Sequence, residues 1–224
     1  MRTQITLSLF AFVALAASLA SAQIVIDDFT VGAYQSPGYK FGTHGSTQNG
    51  NPAHIIGGNR QAGLLMCAPA DCPVQNPFNQ SASYAFKTKS TLGHALVLSA
   101  GYGTSPRIDL YYGYGSPMSV NLSSADRIRI RYLGLTGEAN MGMLLFTTAS
   151  SYGENACNLP PFPGAFTVEL PFSGFVGTGF DSANVNFIRL WSQEGTVIGS
   201  TEFAFVSIEA VNGHEAGAIV CHLN

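Results

Sequence analysis

Charge is scarce in this chain: ionisable Lys, Arg, Asp and Glu make up 10% of its 224 residues, with a formal balance of −3. There is no basic block, so the chain lacks the electrostatic footprint that nucleic acid or an anionic membrane surface requires. Long apolar runs are equally few. The one present spans Ile5 to Leu19, with Arg2 before it and Ala20-Ser21-Ala22 after it. That is the layout of a secretory leader, and it falls short of the roughly 20 apolar residues that cross a bilayer. Residues 1–22 are therefore expected to be a signal peptide, leaving one domain over 23–224 with no membrane span and a secreted, periplasmic or extracellular location. The chain also lacks a G-x-S-x-G elbow and any CxxC or closely paired His, the short-range signs of one hydrolase class and of a zinc site.

Four cysteines are present, Cys67, Cys72, Cys157 and Cys221. Export permits disulfides, and four cysteines allow three pairings. The short C-A-P-A-D-C loop favours Cys67–Cys72, which leaves Cys157–Cys221 to tie a loop to the C-terminal tail.

No stretch after residue 22 carries a convincing helical period, and no fixed-length repeat is present. Alternation dominates instead. In Asp126–Leu135, Ile128, Ile130 and Tyr132 share one face while Arg127, Arg129 and Arg131 share the other, as a half-buried strand requires. Further strands are expected at Gln23–Thr30, Ala53–Ala68 (with a break at Gly57-Gly58), Ser83–Lys87, Ala95–Ala100, Arg107–Tyr114, Met118–Leu122, Asn140–Ala149 and Ala165–Phe172. Val31–Pro52, Leu159–Gly164 and Ser173–Gly179 read as loops. Val185–Trp191 and Phe203–Val211 read as a hairpin-like closing pair. About ten short strands separated by turn signals imply an all-β antiparallel sandwich or barrel.

Tryptophan is rarer still. Trp191 is the only one, and alternation places it with Arg189 and Phe187 on one strand face. An open aromatic can stack on the apolar face of a sugar while arginine donates hydrogen bonds to hydroxyls or a carboxylate. Arg127, Arg129 and Arg131 join that platform if the two strands share a sheet. Otherwise they form a solvated face paired with neighbouring carboxylates. In Arg107–Tyr114, Tyr112 and Tyr114 are expected inward with Leu110, and Tyr111 outward with Asp109. Six glutamates (Glu138, Glu154, Glu169, Glu194, Glu202 and Glu209) offer carboxylates for a glycosidase, but no pair is singled out at the about 5 to 9 Å that such catalysis needs.

The segments VIDDF (25–29), IIGGNRQ (55–61), ADRIRIRYLGL (125–135), FDSANVNFIRLW (180–191) and FAFVSIEAVN (203–212) together resemble the galactose-binding-like β-jelly-roll group, which includes many carbohydrate-binding modules of secreted bacterial proteins. The resemblance implies a jelly-roll sandwich with its first strand close to its last. In several such domains a structural calcium lies on acidic residues of those strands, which points to Asp27 and Asp28 here. The last strand, Val206-Ser207-Ile208-Glu209, lacks the aspartate usually found two residues before the isoleucine. The resemblance and the Trp191 face together favour a secreted, non-catalytic carbohydrate-binding or adhesion module whose partner is an extracellular glycan. A structural surface protein without a small ligand and a glycoside hydrolase are the alternatives.

Overall fold

The computed structural model describes residues 23–67, 76, 78–87, 93–194 and 200–222. The leader-like segment and Cys72 lie outside the described residues, and the expectations for them with it. Among the described residues fifteen strands are formed. They are β1 (Ile24–Asp27), β2 (Tyr34–Gln35), β3 (Thr43–Asn49), β4 (Asn59–Leu65), β5 (Ala82–Lys87), β6 (Ala95–Ala100), β7 (Arg107–Tyr112) and β8 (Arg127–Leu135). They continue as β9 (Ala139–Thr148), β10 (Ser151–Leu159), β11 (Phe166–Pro171), β12 (Val176–Thr178), β13 (Phe187–Glu194), β14 (Thr201–Val211) and β15 (Ile219–Val220).

The strands make a two-sheet sandwich of jelly-roll type. One sheet runs β15-β11-β8-β14-β6-β5-β2, with β1 also on β14; the other runs β12-β10-β9-β13-β7-β4-β3. Among the described strands every pairing is antiparallel except the short β11–β15 contact. The core lies between the sheets, where alternating inward side chains meet. Ile128, Ile130 and Tyr132 of β8 and Ile188 and Leu190 of β13 are all buried there, so the register read from alternation holds. β1 pairs with β14 as expected.

The closing pair does not form a hairpin. β13 pairs with β7 and β9, whereas β14 pairs with β1, β6 and β8 in the opposite sheet. Alternation reports which side of a strand is buried, and a crossing between facing sheets buries the same side as a hairpin within one. Other expectations are corrected as well, and Ser173–Gly179, expected as a loop, carries β12. Val31–Pro52 contains β2 and β3. The inward residues of β3 are polar, and Ser46 and Gln48 are satisfied by Tyr84 and Arg60 rather than by apolar packing. The strand expected over Ala53–Ala68 begins only at Asn59, after a 3₁₀ turn at Ile56–Gly58 in which Gly57 has φ +71°. β10 went unread because its inward positions include Gly153, Asn155 and Cys157, which give no hydrophobic alternation. Met118–Leu122 makes only a single bridge, Val120 to Val185.

Candidate functional site

β13 lies at the middle of its sheet and turns Phe187, Arg189 and Trp191 outward, because Ile188, Leu190 and Ser192 are taken into the core. Trp191 stands opposite Asp109 of β7 on one side and Gly142 of β9 on the other. The ring lies across Gly142: a Cβ built there would sit 2.7 Å from Trp191 Cε2. Glycine therefore makes the bed in which the half-buried indole rests on the sheet. The guanidinium carbon of Arg107 is 5.4 Å from the Trp191 ring centroid, and that of Arg189 is 5.6 Å from the Tyr111 centroid, both within cation–π range.

Asp109 holds these two arginines together. Arg107 donates to it through Nε at 3.0 Å and Nη2 at 2.8 Å, and Arg189 donates through Nε at 2.9 Å. The carboxylate side chain is 7% exposed, against 25% for Arg107 and 30% for Arg189. Burial pushes the Asp109 carboxyl up to about 6 against the pull of Arg107, so above that pH it is the anion the two guanidiniums share.

Beyond the arginines the face is aromatic. Phe187 is 6.0 Å from Tyr111 and nearly parallel to it, 5.0 Å from Phe146 and 6.1 Å from Tyr114, and Phe146 is 5.3 Å from Tyr152. A depression of about 600 Å³ opens over Tyr114, Pro117, Phe146 and Phe187. A second, of about 410 Å³, opens over the register-paired Gly45 and Gly63, beside Gln61, Tyr111 and Tyr114. Tyr112 is buried and Tyr111 faces outward, as alternation requires, but Tyr114 is 58% exposed. β7 ends at Tyr112, and Gly113 at φ +79° breaks the alternation and swings Tyr114 onto the outer face.

Arg127, Arg129 and Arg131 are not part of this face. They lie on β8, in the other sheet, and are bound to carboxylates. Glu169 of β11 accepts from Arg127 Nη1 (2.8 Å), Arg129 Nη2 (2.7 Å), His214 Nδ1 (2.7 Å) and the Glu215 amide (2.9 Å). Burial would raise its pKa, but the hydrogen bonds from His214, Arg129, Glu215 and Arg127 outweigh that and hold it at about 2. Glu215, bridged to Arg129 and Arg131, is also lowered. Burial opposes this shift too, and bonds from Thr167 and Arg131 overcome it. Glu169 and Glu215 both bind Arg129, and with their carboxyls held below the ordinary value neither keeps a proton to donate near neutrality.

The acidic first strand does not suit calcium. Asp27 is fully buried and accepts from Arg60 Nη1 (2.5 Å), Tyr112 Oη (2.9 Å) and the Phe29 amide (2.9 Å). Asp28 is taken by His54 (2.6 Å) and Thr30. Calcium needs six or more oxygen ligands, and these carboxylates are already committed to cations and protein donors. Among the described residues, no three His, Cys, Asp or Glu side chains converge as a metal site would require.

Arg107, Asp109, Phe146, Tyr152 and Gly142 were not singled out from the sequence. Arg107, Asp109 and Tyr111 carry the same period-2 signal as Phe187, Arg189 and Trp191, so the pattern was available. The glycine bed was not, because it depends on which strand lies alongside β13.

Fold and face together define a jelly-roll sandwich with an aromatic, arginine-bearing sheet surface open to solvent. No family model matches the chain, and no curated protein does. Solved structures similar to it include the family 11 carbohydrate-binding module from Clostridium thermocellum in complex with a β-1,3-1,4-mixed-linked tetrasaccharide (13% identity, 86% of this chain and 97% of that one, TM-score 0.44). The family 11 module of a cellulosomal cellulase of the same organism is also similar (14% identity, 88% and 98%, TM-score 0.46). So is a family 28 module specific for non-crystalline cellulose (10% identity, 58% and 82%, TM-score 0.41). The likeness is one of fold.

Proposed function

We propose that the protein is a secreted, non-catalytic carbohydrate-binding or adhesion module that holds an extracellular glycan on the outward face of the β12-β10-β9-β13-β7-β4-β3 sheet. The observation that carries this is Trp191, laid across Gly142 and flanked by Arg107, Arg189 and Asp109 in fixed positions. A sugar ring stacks on the apolar surface of Trp191 or Tyr111, and the guanidiniums donate to its oxygens. The face is shallow and excludes little water, so affinity stays modest. Export is supported by the leader-like first 22 residues and by the disulfide between Cys157 and Cys221.

A glycan array probed with wild type and Trp191→Ala tests this. Specific binding that falls at least tenfold in the variant supports the module. An array blank for both proteins moves the weight to a structural surface protein. Cleavage of a bound glycan moves it to a hydrolase.

A further inference from the structure

We infer that the depression walled by Tyr114, Phe146 and Phe187 is a second sugar subsite, so that the glycan lies along β13 and is read as a run of several sugars. This rests on the glycan-binding role proposed above and adds the course of the chain and the length recognised. Phe187 and Trp191 are outward residues of one strand, four positions apart, or about 13 Å at the rise of a strand. One sugar ring cannot touch both, whereas an extended run of about three spans them. Arg189 lies midway, with Leu144 of β9 opposite, and its guanidinium donates to the middle of such a run. At the far station Phe146 and Tyr114 crowd Phe187, and Tyr114 is more than half exposed. Apolar rings gathered on an open sheet mark a surface that something covers.

The subsite is also held ready. Asn186, which lines the depression, ties its walls together. Its Nδ2 donates to the Thr147 carbonyl of β9 at 2.6 Å. Its Oδ1 accepts from the Ser119 amide (3.2 Å) and hydroxyl (3.1 Å), and its own carbonyl accepts from the Met118 amide (3.0 Å). The segment 113–119, which carries Tyr114, is thereby fixed to the start of β13 and the end of β9. Gly113 completes the fit, since a Cβ there would lie 2.5 Å from the Asn186 carbonyl oxygen. Walls set before the ligand arrives spare binding the cost of ordering them. Asn186 is thus a positioning residue, and the rings make the contact.

The test titrates cello-, xylo-, manno- and chito-oligosaccharides of two to six units into the protein by calorimetry. In at least one ladder the affinity of wild type should rise tenfold or more between two and four units and then level off. Tyr114→Ala, which trims an exposed side chain, should abolish that rise and leave the affinity for two units within twofold. Asn186→Ala should act in the same direction, and Trp191→Ala should weaken binding at every length. A wild-type affinity that is flat with length in every ladder bound, or a rise that survives Tyr114→Ala, overturns the inference and leaves the glycan-binding role standing. No binding to any ladder also overturns the inference, and if the array is blank as well the glycan-binding role falls with it.

Discussion

At the scale of single residues, Gly142 governs the tryptophan surface without touching a ligand. Any side chain there would meet the indole at 2.7 Å, and that contact is with a ring held on the sheet rather than with a flexible chain end. Gly142→Val should lift Trp191 off its bed and into water. Because the chain has one tryptophan, its fluorescence reports this position alone. The expected outcome is a red-shifted emission maximum and at least tenfold weaker glycan binding, with the core residues opposite, Met141 and Met143, still buried. An unchanged spectrum with full binding would mean that the ring does not depend on the glycine. Arg189 and Trp191 were legible one strand at a time from their alternation. Their partners Asp109 and Gly142 were not, because they lie about 80 and 50 residues away in sequence and meet β13 only through sheet pairing.

Among the elements, β8, β11 and the segment after β14 are locked by one buried carboxylate. Glu169 is held at about 2, well below its ordinary 4.5, so it favours the folded state wherever it is ionised. The sign follows directly: the stabilisation is fully present above pH 4.5 and is lost as pH falls from there toward 2. Wild-type urea midpoints should drop across that window, and those of Glu169→Gln should change less. At neutral pH the variant leaves Arg127 and Arg129 facing a neutral amide, at a cost of about 3 kcal/mol. If wild type and variant lose stability in parallel from pH 5 to pH 2, Glu169 is not the group responsible. The arginine ladder thus belongs to the fold. Alternation alone could not tell that, since a ladder beside carboxylates and one beside a ligand give the same pattern.

Over the whole molecule, the Cys157–Cys221 bridge joins β10 of one sheet to the tail that follows β15 of the other, across a sequence separation of 64. That separation restricts the unfolded chain by about 4 kcal/mol in the chain-entropy model. Changing both cysteines to alanine should lower stability by about that amount and release the tail, which is also held by the bond from the Cys221 amide to the Glu169 carbonyl. Hydrogen exchange at Val220 and Cys221 would show the release, and a loss well under 1 kcal/mol would mean the sheets need no staple. The class of fold and the inward and outward register of its long strands were determined by the sequence itself, because a period of two is a local property of the chain. The cysteine pairing at 157 and 221 was one of three the sequence allows, and the structure selects it. Whether β13 and β14 share a sheet, whether Arg189 meets Arg129 or Asp109, and whether Tyr114 points in or out were decided only by tertiary structure. Those outcomes depend on which strands become neighbours and on one left-handed glycine, Gly113. Neighbour choice in a sandwich is set by packing the two inner faces together, an energy no single segment carries.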